Sequence, residues 1–270
     1  MSSPESLPQY AGVLEAYHWA FQGEFDDILA ELPIEDAALV LDVPCGDGFF
    51  TRRIAARQRF GQTIGVDVSP AFLEVAHDQV SSTGRAPYLL QGDCLELPIT
   101  SNSVDLIWCA HSLISLTDTV SALKEMHRVL RPGGTIAVLE HDQMHRWLLP
   151  WPANLELAVQ DAERQYFVQK HGSTRKMYNG RHLHQLLSDT KFQVGERRTM
   201  TAERQQPMDK ASLHFFCRHF SDLRRRIGRY IPPSRQPIFD TFTDPHSPDF
   251  LPTQADFAAT AIEILQLGMK

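Results

Sequence analysis

The sequence predicts an α/β protein with a doubly wound, mostly parallel sheet and helices on both faces. Three observations point there. Short apolar runs alternate with segments of helical periodicity over residues 37–140. Two of the runs end in an acidic residue, Asp42 and Asp67. The turn Pro44-Cys45-Gly46-Asp47-Gly48 joins the first run directly to a helical pattern, which is how such a sheet offers a small-molecule site at the carboxyl ends of its strands.

Each element follows from local pattern. Residues 11–32 carry Leu14, Tyr17, Phe21, Phe25, Ile28 and Leu29 at helical spacing, so one helix is expected before the sheet. Tyr10, Tyr17, His18 and Trp19 are candidates to close over a ligand, although an aromatic helix face more often simply packs. Residues 37–43 read as the first strand, 51–57 as helix and 62–67 as the second strand. Ser69-Pro70 is a helix-start signal, a capping hydroxyl followed by proline at the first helical position. That helix should reach Val80, with a turn at 81–86 and a third strand at 88–90. Strand four is expected at 104–109, a helix at 116–130 stopped by Arg131-Pro132-Gly133-Gly134, and strand five at 135–140.

Beyond Glu140 the pattern changes. Helices are expected at 153–170 and 181–188, a sixth strand at 192–200 and an amphipathic helix through Leu213, Phe216, Phe220, Leu223 and Ile227. Residues 230–253, rich in proline and aspartate, read as a long loop or lid, and 258–267 as a closing strand. The organisation is an N-terminal helical cap (1–36), a core (37–140) and a helical, loop-rich C-terminal cover (141–270).

Composition narrows the function classes. The chain has 270 residues, 43% hydrophobic and 22% charged, with a formal net charge of -7, which suits a soluble globular protein and makes nonspecific nucleic-acid binding unattractive. Cys45, Cys94, Cys109 and Cys217 are widely spaced without a C-x-x-C pair, which favours reduced thiols over a disulfide framework or zinc site. The first ten residues lack the apolar core of a signal peptide and no apolar run reaches about 18 residues. A cytoplasmic location without a membrane span is therefore expected.

Asp42-x-Pro44-x-Gly46-x-Gly48 resembles the first motif of the class I S-adenosylmethionine-dependent methyltransferases, an acidic residue followed by alternating glycines, with Pro44 in place of the first glycine. Three later segments carry the same resemblance: Asp67-Val68 about 20 residues on, Gly92-Asp93-Cys94, and His127-Arg128-Val129-Leu130-Arg131-Pro132-Gly133-Gly134-Thr135 before strand five. The last is the most specific, because it closely matches a structural turn of the family. The resemblance spans roughly residues 39–140 and implies a seven-stranded sheet with S-adenosyl-L-methionine as cofactor. Asp42, Pro44, Cys45, Gly46 and Gly48 would then cradle its aminocarboxypropyl group, Asp67 would hold the ribose hydroxyls, and Val68, Asp93 and Cys94 would flank the adenine. Cys109 belongs to the same implied pocket.

The resemblance implies methyl transfer to an O, N or C atom, with a small organic molecule as the expected acceptor. Protein or RNA methylation, an NAD-linked oxidoreductase and a noncatalytic cofactor-binding protein are the alternatives. Thr51 stands where a dinucleotide fingerprint starting at Gly46 needs its third small residue. His141 and His111, after strands five and four, are the candidate catalytic residues, and Tyr178 is a substrate-side lid candidate. His141 and His145 would share a helix face with Asp142 nearby, but no further ligand accompanies them and no metal is expected. Arg218, Arg224, Arg225, Arg226 and Arg229 could bind an acidic partner; a solvated helix end accounts for them more simply.

Overall fold

Burial alternates along the central strands, and that alternation sets the layers. Val40 and Leu41, Leu106 and Ile107, and Trp108 and Cys109 are sequence neighbours that lie in opposite apolar cores, as a pleat of period two requires. The computed structural model describes residues 6–80 and 86–270. The turn expected at 81–86 lies, apart from Ala86, outside the described residues.

The strands are β1 (Leu39–Asp42), β2 (Gln62–Asp67), β3 (Tyr88–Gln91), β4 (Val104–Ala110), β5 (Leu130–Glu140), β6 (Trp147–Leu148), β7 (Gln193–Gln205) and β8 (Ala258–Met269). They form one eight-stranded sheet in the order β3-β2-β1-β4-β5-β8, with β6 and β7 both paired to β8. The first five are parallel and β8 runs antiparallel to β5. The extra strand beyond the expected seven is the two-residue β6, which pairs with Thr260 and Ala261 where β5 has already ended.

The helices are α1 (Ala11–Ala20), α2 (Gln22–Ala30), α3 (Phe49–Arg57), α4 (Pro70–Val80), α5 (Thr119–Val129), α6 (Ala153–His171), α7 (Asn179–Asp189), α8 (Lys210–Ile227) and α9 (Gln236–Thr243). Side chains cap α4, α5 and α8: Ser69 accepts from Phe72 N at 3.4 Å, Asp118 from Ser121 N at 3.0 Å, and Asp209 from Ser212 N at 2.9 Å.

Four expectations need correction. The single helix at 11–32 is two helices, because the backbone leaves helical geometry at Phe21 (φ -119°, ψ 23°) and the chain turns there. The loop expected at 230–253 contains α9, with proline in its first turn, where a fixed φ favours a helix start. Phe239 of α9 is fully buried, so this segment is packed cover and not a free lid. Residues 130–134 are drawn into β5 as a register shift between Val104 and Leu106, so the expected turn is a bulge. Finally, residues 141–146 are not helical, and His145 does not share a helix face with His141.

One apolar core joins the two ends of the chain to the sheet. It contains Tyr17, Phe21 and Phe25 of the first two helices, Phe49 and Phe50 of α3, Trp108 of β4, and Phe215, Phe216 and Phe220 of α8. Phe216 is fully buried, with ring centroids of Phe215 at 5.0 Å and Phe257 at 5.1 Å. Truncating it removes contacts on both sides. Phe216→Ala is expected to lower unfolding free energy by about 3–5 kcal/mol, measured by urea denaturation; a loss under about 1 kcal/mol would show that the cover adds little to the common core.

Candidate active site

The parallel strands place their carboxyl ends along one edge: Asp42 ends β1, Asp67 ends β2, Asp93 follows β3, His111 follows β4 and His141 follows β5. Along that edge they fall in the order Asp93, Asp67, Asp42, His111 and His141, because the parallel strands run β3-β2-β1-β4-β5 across the sheet.

The loop after β1 bends tightly into α3. The Val43–Pro44 peptide is cis, and Gly46 and Gly48 have φ +53° and +75°, left-handed values that favour glycine. The two differ in what surrounds them. A Cβ on Gly48 would lie 2.9 Å from Ala76 Cβ of α4, whereas a Cβ on Gly46 would meet nothing within 4 Å. Gly48 thus permits helix packing, and Gly46 leaves an open cradle on which a ligand can rest against backbone. Pro44 therefore coexists with a turn that keeps both positive-φ glycines.

Asp67 ties this loop to β2. Its Oδ2 accepts from Gly46 N and its Oδ1 from Ser69 N, both at 2.9 Å. Burial raises its pKa against the pull of those N–H groups. Asp42 is buried more deeply and accepts from Thr51 Oγ1 at 2.5 Å. Thr51, which breaks the dinucleotide frame, has this local task instead. Burial raises the Asp42 pKa to about 8, the Thr51 bond opposes the rise, and Asp67 and Asp47 add repulsion.

The adenine-side candidates lie further out along the edge. Val68 is 63% exposed; Asp93 is exposed, accepts from Leu95 N at 2.9 Å and precedes a half-buried Cys94. Cys45 is buried beside the loop, whereas Cys109 is fully buried inside β4 and belongs to the core on the α5 side. The pleat turns Cys109 away from the face shared by Trp108. Tyr10 lies across this edge, 6.4 Å from Phe72 by ring centroid. Burial raises its pKa, the nearby Asp67 charge adds to this, and a Ser115 hydrogen bond opposes it.

A second cluster lies at the ends of β4 and β5. His111 has φ +51°, uncommon for a non-glycine residue and often a mark of a functional position. Its Nε2 is 3.0 Å from Glu263 Oε2. Glu263 comes from β8 and also accepts from the Tyr17 hydroxyl of α1. Burial by itself would raise the Glu263 pKa, but attraction and hydrogen bonding from His111, with His141 and Tyr17, outweigh it and bring it to about 2. His141 Nδ1 is 4.0 Å from Glu263 Oε1, and its Nε2 meets the Gln143 amide at 2.5 Å. Burial holds its pKa well below the usual imidazole value, with Arg146 adding repulsion. Glu140, buried at the end of β5, accepts from Leu113 N at 2.7 Å; burial raises its pKa to about 7.

His111 and His141 line a cavity of about 270 Å³ between the sheet edge, α1, α6 and α8. Tyr10, Trp147, Trp151 and Tyr166 supply aromatic walls, while Arg146, Glu163 and Arg226 supply charge. Tyr178 is not on its wall; its neighbour Met177 is, and the Tyr178 ring carries the Arg181 guanidinium at 4.6 Å. The other histidine candidate, His145, is 54% exposed and pairs with Asp142 at 3.4 Å.

Three contributors escaped the sequence reading: Glu263, Gln143 and Arg146. The available signal for Glu263 was a lone carboxylate in the apolar run 258–267, where an unpaired charge is too costly to bury. The arginine-rich end of α8 is used internally. Arg224 pairs with Asp244 at 2.9 Å, Arg226 with Asp222 at 2.6 Å, and Arg225 with Asp222 at 2.5 Å.

Comparison with known proteins agrees with this geometry. Residues 41–138 match the family model described as "Methyltransferase domain". Over 117 residues the chain is 36% identical to the demethylmenaquinone methyltransferase of Staphylococcus epidermidis and 35% identical to that of Staphylococcus aureus, covering 43% of this chain and 48% of each relative. The chain thus spans about half the length of these relatives. Among solved structures it resembles the YcgJ protein of Bacillus subtilis (TM-score 0.55, 19% identity, 94% of this chain and 98% of that one). It also resembles a SAM-dependent methyltransferase from Aquifex aeolicus (0.52, 18%, 68% and 90%) and the [4+2]-cyclase SpnF (0.54, 16%, 99% and 99%). These structural likenesses establish the fold.

Asp42 gives a pH test of the loop. With its folded pKa raised, the folded chain binds the proton more tightly than the unfolded chain. Its contribution to stability is complete below about pH 4 and is lost as pH rises toward 8. Between pH 5 and 8, ligand-free wild type should lose stability relative to Asp42→Asn by up to about 1.4 kcal/mol per pH unit. Denaturant titrations at several pH values measure this; parallel profiles for the two proteins would show that Asp42 is already ionised.

Proposed function

We propose that this chain, whose residues 41–138 are a class I S-adenosylmethionine-dependent methyltransferase domain, transfers the cofactor's methyl group to a small organic acceptor. The observation that carries the reading is the succession along one sheet edge. The open Gly46 cradle and Asp67 lie at one end, and the His111–His141 pair at the other opens into a lined cavity.

In this reading the aminocarboxypropyl group rests on the backbone from Pro44 to Gly48, with Asp42 and Cys45 behind it. Asp67 takes the ribose hydroxyls, for which its oxygens keep free lone pairs. Val68, Asp93 and Cys94 border the adenine. Cys109 supports the pocket from inside β4. The acceptor occupies the cavity, whose volume of about 270 Å³ falls near the small end of ligand pockets. That size and the aromatic walls favour a small molecule over a protein or RNA segment. Tyr178 bears on the acceptor only as the chain neighbour of Met177, whose carbonyl accepts from Gln143 N at 3.1 Å.

The chemistry is an in-line displacement. An acceptor O, N or C atom attacks the methyl carbon, the carbon–sulfur bond breaks, and S-adenosylhomocysteine departs with the bonding pair. Most of the acceleration comes from holding the two reactants in line. Where the acceptor must lose a proton, His141 takes it as a neutral base, with His111 beside it held by Glu263. Another reaction on the same scaffold is the competing reading, since fold alone does not determine chemistry.

Calorimetry with S-adenosylmethionine and NAD tests the cofactor assignment: the first should bind and the second should not, and the reverse would overturn it. Asp67→Ala should weaken S-adenosylmethionine binding at least about tenfold, roughly 1.4 kcal/mol; unchanged affinity in a folded variant would remove Asp67 from the site. His141→Ala should lower turnover more than cofactor affinity, and full activity would leave His141 a structural role only.

A further inference from the structure

We propose that His111, His141 and Glu263 form a binding site for one divalent first-row transition-metal ion at the floor of the cavity. The role of the ion in methyl transfer rests on the acceptor-site reading above; its binding does not.

The three residues come from separate parts of the chain, after β4, after β5 and within β8. Each offers one ligand atom, and these atoms lie within 4.8 Å of one another. Hydrogen bonding accounts for one edge of the triangle, His111 Nε2 to Glu263 Oε2 at 3.0 Å. The other carboxylate oxygen is 4.0 Å from His141 Nδ1, too far for a hydrogen bond. His141 is 6% exposed, and its Nδ1 has no hydrogen-bond partner among the described residues. A buried nitrogen left in that state is costly, and a shared cation relieves it. Ligand atoms held about 2.0–2.2 Å from one ion lie about 3–4.2 Å apart. A contraction of about half an ångström would bring this set onto one centre.

The surroundings fit ligand roles. Gln143 meets His141 Nε2 at 2.5 Å. With its amide oxygen turned to the ring it accepts the Nε2–H, which leaves the Nδ1 lone pair facing Glu263. Tyr17 donates to Glu263 and fixes the carboxylate. Such outer partners commonly orient metal ligands. Two imidazoles and one carboxylate suit Zn²⁺, Fe²⁺ or Co²⁺, not the oxygen-seeking Mg²⁺ or Ca²⁺. The Arg146 guanidinium, 4.5 Å from the Tyr17 ring centroid, adds positive charge nearby and further disfavours a weakly held ion.

Both histidines line the cavity, so the positions left open on the ion face the acceptor. An acceptor hydroxyl bound there has its pKa lowered and releases its proton to solvent. In the loaded site the cation thus takes over the task assigned to His141 in its absence.

The test is calorimetric titration of zinc chloride into the chelator-treated full chain. One ion per chain is expected. His141→Ala and Glu263→Gln should each weaken binding by more than about tenfold, since loss of even an outer partner costs that much. His145→Ala, outside the triad, should leave it unchanged. For a check that needs no variant, crystals soaked in zinc should give an anomalous peak between the three ligand atoms. No zinc uptake, uptake indifferent to both variants, or a peak only elsewhere overturns the site. If the protein binds S-adenosylmethionine but no zinc, the metal site falls and the methyl-transfer reading stands. If zinc binds as described without S-adenosylmethionine binding, the metal site stands and that reading falls.

Discussion

The buried carboxylate of Glu263 is the constraint on which the cavity end of the sheet edge depends. It lies in β8, far along the chain, yet meets Tyr17 of α1 and His111 after β4, with His141 close by. A carboxylate 5% exposed is tolerable only with partners that repay its lost hydration. Those partners come from the N-terminal helix and the ends of the central strands, so the charge fixes how α1 sits on the sheet. The aromatic core around Phe21, Phe215 and Phe216 supplies the adhesion, but apolar contact is not directional. The hydrogen-bonded carboxylate supplies direction.

At the other end of the edge the same problem is solved differently. Asp42 has no paired cation among the described residues; burial raises its pKa, and it accepts a hydrogen bond from the Thr51 hydroxyl. Asp67, nearer the surface, is held by backbone N–H groups. Both carboxyls therefore brace this turn, Asp42 through Thr51 of α3 and Asp67 through the backbone of Gly46. Two acids that look equivalent in sequence differ by depth of burial.

How much of this was legible in the sequence depended on the range of the interactions. The first five strands, α3 to α5 and the loop from Asp42 to Gly48 follow from local alternation and turn chemistry, and the sheet has the expected parallel arrangement. Where the residues at strand ends would converge was also readable, because a parallel sheet brings them to one edge. The break at Phe21 and the short α9 were not, since both are decided by packing against the aromatic core. Glu263 and Gln143 escaped for a related reason: their partners are set by tertiary register and carry no spacing signal. His145 was misplaced beside His141 because its helical spacing carried no information once the segment proved irregular.

The fate of a labelled methyl group is the most direct test of the proposed pairing of a cofactor loop with an acceptor cavity on one sheet edge. Incubating the full chain with methyl-labelled S-adenosylmethionine and metabolite extract, followed by size separation, should place the label in a small-molecule product together with S-adenosylhomocysteine. Bound cofactor with no transferred label, or label confined to protein or RNA, would contradict it.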